Sequence, residues 1–308
     1  LIVGSQGTLG FITKIKFKLV RPKPCSRLLV IFLKDIAQLA GLTKQVLACK
    51  PESFESYDDN TFRIAIRFFP EIVEQIKGSI FRLALSLLPE AWMMLRGGIP
   101  KLVLLAEFTA DMREKADIQA RAAEQQLKKA YPSLKMRVTR SDEETQEFWL
   151  IRRESFNLLR HHVRGLRTAP FIDDLCVRPD LLPEFLPKLY DILGRYKLLY
   201  TVAGHVGDGN FHIIPLMDFR DPKIKDTIAN LSREVYALVV HYKGSITGEH
   251  NDGLIRTPFV KEEFGEEMYR LFEETKKIFD PDNIFNPGKK VGATLEYALA
   301  HLDIEKKK

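Results

Sequence analysis

Between Thr201 and His212 the chain reads TVAGHVGDGNFH, which sets His205 and His212 on either side of a Gly-Asp-Gly-Asn turn. Leu198, Leu199, Tyr200, Thr201 and Val202 before the turn, and Phe211, Ile213 and Ile214 after it, are strand formers. The stretch therefore predicts strand, tight turn, strand. Gly207 and Gly209 let the backbone reverse sharply at positions where a Cβ would clash. Such a reversal brings the two imidazoles onto one point. Two neutral imidazoles and a carboxylate are a common ligand set for a divalent cation with an open coordination position. The carboxylate candidate is Glu249, in Ser245-Ile246-Thr247-Gly248-Glu249-His250-Asn251-Asp252-Gly253. Neighbours in an extended strand point to opposite faces, so Glu249 and His250 share a site only if the backbone turns there. Gly248, Gly253 and Asn251-Asp252 are the residues for such a turn. Glu249 then completes a His-His-Glu set and leaves His250 off the metal. An imidazole beside a cation is held neutral and suits a general base. The plainer alternative makes these ordinary loop histidines and a surface carboxylate.

The remaining sequence must position these groups. Its 308 residues are 45% hydrophobic and 29% charged, enough for one large or two ordinary domains with a real core. The 47 Lys+Arg against 41 Asp+Glu give +6, spread along the chain except for the basic tail ending at Lys308. No nucleic-acid partner is expected; a basic surface favours anionic substrates or an anionic membrane face. Cys25, Cys49 and Cys176 lie far apart without a CxxC, so neither a zinc ribbon nor an iron–sulfur cluster is encoded, and a reducing, cytoplasmic compartment is expected. No apolar run reaches the ~18 residues of a membrane-spanning helix. The nearest, Ile80 to Leu95, is interrupted by Arg82, Pro89 and Glu90. It reads as a buried helix hairpin, with peripheral contact to the inner face of a membrane as the alternative. The chain opens at Leu1 in what reads as mid-domain sequence, so we expect the C-terminal part of a longer protein.

The first residues form a Gly/Ser/Thr loop, Gly4-Ser5-Gln6-Gly7-Thr8-Leu9-Gly10, whose backbone amides could cradle a phosphate. Phe11 to Val20 alternates, with Lys14, Lys16 and Lys18 on one face, and predicts a strand. Arg21-Pro22-Lys23-Pro24 reads as a stiff linker and boundary. Strands are then expected at 28–33, 53–57, 102–108 and 135–139, with helices at 36–48, 60–95 (broken at Pro70 and Pro89) and 112–130. Ser141 followed by Glu144 marks a helix start. Phe171 to Val177 should be a strand, followed by helices at 181–194, 224–242 and 258–279. The order predicts an α+β fold: a ferredoxin-like antiparallel sheet with helices on one face.

The motifs resemble those of a known group. Gly4 to Gly10, Gly204 to His212, Gly248 to Gly253 and Asn286-Pro287-Gly288-Lys289 are similar, in order and spacing, to the C-terminal half of FAD-linked oxidases of the vanillyl-alcohol oxidase type. More narrowly, they resemble the D-lactate, glycolate and D-2-hydroxyglutarate dehydrogenases. The resemblance implies a domain edge at 1–24 that belongs to the FAD-binding part, a substrate-binding cap at 25–278, and a segment at 279–308 returning to the flavin. It implies FAD contact by Gly4, Ser5, Gly7, Thr8, Leu9, Gly10 and Asn286. It implies a divalent metal, zinc or manganese, on His205, His212 and Glu249. His250 would be the base, Asn210 a supporting residue, and Arg152 of Trp149-Leu150-Ile151-Arg152 the substrate-carboxylate partner, with Arg153 as the neighbouring alternative. A bidentate guanidinium suits that last task. The implied reaction is oxidation of a small D-2-hydroxy acid to the 2-oxo acid, with electrons passed to a quinone, a flavoprotein or an iron–sulfur partner. Two departures stand out. Asn251-Asp252 replaces a common Gly-Ile, in a loop whose left-handed position Asn tolerates, and the following Gly253-Leu254-Ile255-Arg256 looks like the branch fused or coupled to iron–sulfur units. A Lys-x-Asp of the 2-hydroxyglutarate enzymes is here Ile172-Asp173-Asp174, which leaves the particular hydroxy acid open. The rival readings are a zinc hydrolase using the same triad, and a cap-like binding subunit that never holds FAD. The flavin-side motifs at both ends argue against both.

Overall fold

Runs of apolar strand formers alternate with amphipathic helices, and the chain pairs them in two passes. A computed structural model of the chain describes residues 2–61, 63, 98–162 and 165–304, with backbone alone for 153–162. The first pass is β1 (Cys25–Leu33), α1 (Leu39–Ala48), β2 (Ser53–Asp58), β3 (Leu102–Ala110), α2 (Arg113–Ala130) and β4 (Lys135–Val138). Its antiparallel strands lie in the order β4-β1-β3-β2, the ferredoxin-like order expected. β1 and β3 are almost continuous apolar runs because both their faces are covered. α1 turns Leu39, Leu42 and Val46 inward, and α2 turns Ala116, Ala120, Ala123 and Leu127 inward. The spacing of three and four is the buried stripe of a helix lying on a sheet.

The second pass repeats that pattern. It runs through β6 (Leu175–Cys176), α4 (Leu182–Arg195), β7 (Leu199–Gly204), β8 (Asn210–Met217) and α5 (Ile224–His241), and ends at Ser245, which bridges to Cys176. Its neighbours read Ser245, β6, β8, β7, matching β4, β1, β3, β2. The structure is thus a duplicated unit, although the sequence shows no repeat. β5 (Arg167–Thr168) also pairs β8. The units join edge to edge where β2 pairs β7, Ser56 opposite Gly204 and Tyr57 opposite Ala203.

Strand alternation sorts the side chains. Leu29, Ile31, Leu104, Phe54, Val202, Phe211 and Ile213 face the large core under α1, α2, α4 and α5. Leu28, Val30, Tyr57, Val103, Leu105 and Ala203 face the other way. There α3 (Asp142–His162) lies on the sheet through Phe148, Trp149 and Ile151. Ser141 starts α3 as expected, its Oγ accepting the Glu144 amide at 3.2 Å. Glu55, two residues before Tyr57, and His212, opposite Ala203, therefore share the α3 side of the sheet.

Two expectations need correction or fall outside view. Residues 11–24 carry no strand; Phe11, Phe17 and Leu19 are 86%, 74% and 89% exposed. A strand needs a ladder partner, and no described residue pairs with this segment. The expected helices over 60–95, including the Ile80–Leu95 hairpin, start at Asp59–Thr61 and otherwise lie outside the described residues, as does the tail 305–308. Among the described residues no helix is long and apolar enough to cross a membrane.

Asp58 locks the seam between the two units. Its buried Oδ1 accepts from the Thr61 amide (2.8 Å), the Thr61 hydroxyl (2.7 Å) and the Val202 amide of β7 (3.3 Å), while Oδ2 has no partner. Burial raises its carboxyl to about 7. The folded protein therefore holds a proton that the unfolded chain releases at ordinary carboxylate values. That contribution to stability is full at acid pH and is lost as pH rises through about 7. Urea unfolding at pH 5 and pH 8 should show lower stability at pH 8, and Asp58→Asn should flatten the difference.

Candidate metal and substrate site

The site grows from the β7–β8 hairpin. His205 follows β7, and three amides close its turn: Asp208 N and Asn210 N on His205 O (3.0 and 3.2 Å), and Gly209 N on Val206 O (3.2 Å). Gly209 has φ +70, and a Cβ there would meet Val177 O at 1.9 Å, so the turn requires glycine. The turn returns the chain two strand positions from His212, and the two rings meet edge to face with centroids 5.4 Å apart.

Glu249 and His250 are brought to the same point by a residue the sequence reading passed over as a motif departure. Asp174, fully buried, accepts the amides of Gly248 (2.8 Å), Glu249 (3.0 Å) and His250 (2.8 Å) and the Thr247 hydroxyl (2.9 Å) on one oxygen, Oδ2. Its Oδ1 accepts Asn210 Nδ2 at 3.0 Å. Burial alone would raise this carboxyl. The hydrogen bonds from the His250 amide, Asn210 and Thr247 outweigh burial and hold it below the usual carboxylate range. The three successive amides wrap the turn around one anion, as in a backbone nest. A Cβ on Gly248 would lie 2.3 Å from Asn210 Nδ2, so the turn packs directly on the hairpin. Asn251, at φ +66, takes the left-handed position expected of it.

Three imidazoles result, each aiming Nε2 at one carboxylate oxygen. Glu249 Oε1 lies 3.3 Å from His205 Nε2, 3.2 Å from His212 Nε2 and 3.6 Å from His250 Nε2. Each Nδ1 has an oxygen acceptor: Glu55 Oε1 for His205 (2.5 Å), the Asp173 carbonyl for His212 (3.0 Å) and Asp173 Oδ2 for His250 (3.2 Å). An acceptor at Nδ1 puts the proton there and leaves the lone pair on Nε2. Lone pairs and a carboxylate oxygen then face one another, an arrangement that repels itself unless a cation or proton lies between. This donor set fits a divalent cation. Asp174 also lies within 4.8 Å of the ligand atoms of His212, Glu249 and His250, but its oxygens are consumed by the amides above, so it acts as scaffold. Hydrogen bonding to Glu55 raises His205 above the ordinary imidazole range. Burial drives His212 down to about 4, which keeps it neutral.

Arg152 reaches the same face from α3. Its Nε and Nη2 both donate to Glu55 Oε2 (3.2 and 3.0 Å). Glu55 thus links Arg152 to His205, and the three line a cavity of about 380 Å³ with Trp149. The Arg153 side chain lies outside the described residues.

The motifs at the two ends of the chain also meet. Gly4 to Gly10 folds as turns, with Thr8 N on Ser5 O at 3.0 Å. Asn286 Nδ2 donates to Gln6 O (2.7 Å), and Gly253 N donates to Gln6 Oε1 (2.8 Å). From α7 (Val260–Phe279), the buried Lys276 ammonium donates to Thr8 O (2.8 Å) and Phe285 O (2.6 Å) and pairs with Asp280. A groove of about 230 Å³ lies beside them, lined by Gly4, Ser5, Thr8 and Leu9 with Asp252 and Lys290. Gly7 and Gly10 take no part in that lining; a Cβ on either would meet open space. Gln6 Nε2 is buried without a partner. Gln6 does not line the groove, whose walls at Val3, Leu9, Val260, Phe264 and Phe272 are apolar and suit a flat ring.

Sequence reasoning brought His205, His212, Glu249, His250, Asn210 and Arg152 forward, and all six lie at this face. It missed Glu55, Asp173 and Asp174. The available signals were a charged residue inside the otherwise strand-forming Ser53–Asp58, and two adjacent carboxylates between Ile172 and Leu175.

Fold and site together define an α+β domain that holds an imidazole–carboxylate centre on the α3 side of a duplicated antiparallel sheet. Over residues 24–290 the chain matches the family of FAD linked oxidases, C-terminal domain, and belongs to it. Curated relatives include D-2-hydroxyglutarate dehydrogenase of Pseudomonas putida, 27% identical over 292 residues, 94% of this chain and 27% of the relative. Glycolate oxidase subunit GlcD of Bacillus subtilis is 26% identical, over 94% of this chain and 56% of the relative. D-lactate dehydrogenase of Anaerostipes hadrus is 26% identical, over 94% and 57%. The chain thus spans between about a quarter and just over half the length of these relatives. The fold is also that of substrate-bound p-cresol methylhydroxylase, at TM-score 0.60 and 14% identity, over 89% of this chain and 54% of that one.

Asp174→Asn keeps the shape but removes the charge and sets an NH2 donor against either the three backbone N–H groups or Asn210 Nδ2. Hydrogen bonds to a charged acceptor contribute about 1.5–3 kcal/mol each against about 1 for neutral ones, so thermal unfolding should shift down and metal uptake should fall with it. An unchanged melting temperature with full metal uptake would remove Asp174 from the account.

Proposed function

We propose that this chain is the substrate-binding part of an FAD-dependent enzyme that oxidises a small D-2-hydroxy acid, of the lactate, glycolate or 2-hydroxyglutarate class, to the 2-oxo acid. The observation that carries this reading is the convergence of His205, His212 and His250 Nε2 on Glu249 Oε1, beside the cavity lined by Arg152. In this reading residues 25–278 form the cap, and residues 1–24 and 279–308 belong to the flavin side, through Gly4 to Gly10 and Asn286. When bound, FAD supplies the acceptor for the hydride of the α-carbon, and zinc or manganese supplies a Lewis acid. His205, His212 and Glu249 would hold the metal. Glu55 and the Asp173 carbonyl would fix the two imidazoles in the Nδ1–H form that binding needs.

The chain's own chemistry is then binding and proton transfer. Arg152 attracts the substrate carboxylate, with Glu55 setting the plane of its guanidinium. His250, stacked on His212 with ring centroids 4.9 Å apart and half-exposed, takes the hydroxyl proton at Nε2. Its distance from Glu249, longer than that of the other two imidazoles, suits a base beside the ligand set. Asn210, buried and bound to Asp174 and the Leu175 carbonyl (3.2 Å), supports the turn from below.

These roles separate in mutants of the FAD-loaded protein that carries this chain. Glu249→Gln should lose bound metal and activity together. His250→Asn should keep the metal and lose turnover by ~10²–10⁴-fold, the usual loss for a general base. Metal analysis with single-turnover flavin reduction reads both; metal loss in His250→Asn with retention in Glu249→Gln would reverse the assignment. Arg152→Lys should raise KM more than it lowers kcat, because lysine keeps the charge and loses the fork. Substrate titration of the flavin spectrum checks this, and unaltered binding would exclude Arg152.

A further inference from the structure

His250 is held by more than the turn around Asp174. Its Nδ1 lies 3.2 Å from Asp173 Oδ2. The other oxygen of that carboxylate pairs with Arg256 Nη2 in α6 (Gly253–Arg256). Arg256 Nη1 donates to Asn251 O at 2.9 Å, which ties the pair back to the residue after His250. Asp173 and Arg256 are 8% and 6% exposed. The guanidinium leaves its Nε buried without a partner. An ion pair in this setting is an expensive way to hold a loop, since apolar packing of similar volume is often as stable or more so. Its geometry does something apolar packing cannot do: it presents a fixed acceptor to one nitrogen of His250.

We propose that Asp173 is the positioning residue for His250, and that Arg256 fixes the plane of the Asp173 carboxylate for that task. The proposal rests on the reading of His250 as the proton acceptor. Accepting the Nδ1 hydrogen keeps the imidazole in the tautomer whose lone pair is on Nε2, the atom that faces Glu249. When Nε2 takes the substrate hydroxyl proton, one O–H bond breaks and one N–H bond forms. The proton stays on Nε2, and the adjacent carboxylate stabilises the imidazolium without itself being protonated. The logic is that of the aspartate behind the histidine in serine hydrolases, where an Asn substitution preserves shape, reverses the tautomer and lowers kcat by ~10⁴. Asp173 serves His212 through its backbone carbonyl, so a side-chain substitution leaves that bond in place.

The test has a part that needs no variant. In metal-loaded protein labelled with ¹⁵N-histidine, the His250 ring should show Nδ1 protonated and Nε2 bare; a proton on Nε2 overturns the proposal. In Asp173→Asn the two nitrogens should exchange roles, with kcat down by ~10²–10⁴-fold while KM and metal content stay within about threefold of wild type. A merely structural role would move KM, metal content and melting temperature together and leave the tautomer alone. Arg256→Lys should give an intermediate kcat with the Nδ1–H tautomer retained. If Asp173→Asn turns over like wild type while His250→Asn is dead, the positioning role falls and the base assignment survives. If His250→Asn itself turns over normally, the base assignment falls first.

Discussion

One buried carboxylate holds the site together. Asp174 gathers three consecutive amides and a hydroxyl on one oxygen and the Asn210 amide on the other. Hydrogen bonds to an ionised acceptor are about twice as strong as neutral ones, and inside a protein an unpaired buried amide is costly. The Gly248–His250 backbone therefore has one low-energy path, and that path turns Glu249 and His250 toward the β8 face together. Without that anion the stretch would be an extended segment whose neighbouring side chains point apart.

The duplicated fold explains why such a centre sits at a seam. β2 and β7 meet edge to edge, and their α3-side residues come from different units: Glu55 from the first, His205 and His212 from the second. Glu55 bonds His205 across a separation of 150 residues. The same carboxylate grips Arg152 from α3. Three regular elements, β2, the β7–β8 hairpin and α3, therefore meet at the turn that carries Glu249 and His250, which fixes the centre's geometry better than one loop would. The motifs at the two ends of the chain are joined by the Lys276 ammonium on Thr8 O and Phe285 O, by Asn286 Nδ2 on Gln6 O and by Gly253 N on Gln6 Oε1, which bring segments far apart in sequence together beside one groove.

Local chemistry was legible in the sequence. The hairpin carrying His205 and His212 announces itself through Gly207 and Gly209 between strand formers, and the α3 start through Ser141 and Glu144. The alternation of elements gave the antiparallel α+β architecture. Long-range partners were not legible. Nothing in Ser53–Asp58 says that Glu55 will meet His205, and nothing in Ile172-Asp173-Asp174 says that the two carboxylates face different parts of one turn. The duplication leaves little trace in the sequence because β6 keeps only two paired residues and the fourth strand of the second unit is reduced to the Ser245 bridge. The alternation of Phe11–Val20 has the pattern of a strand, but a strand is a property of two segments, and this one has no ladder partner among the described residues.

The central claim is that the turn around Asp174 builds a cation centre from two imidazoles and one carboxylate. X-ray absorption at the zinc edge of zinc-loaded protein tests it most directly. The account predicts a four-coordinate first shell with imidazole scattering from two histidines and light-atom distances of about 2.0–2.2 Å. A shell of oxygen atoms alone, without imidazole scattering, would contradict it.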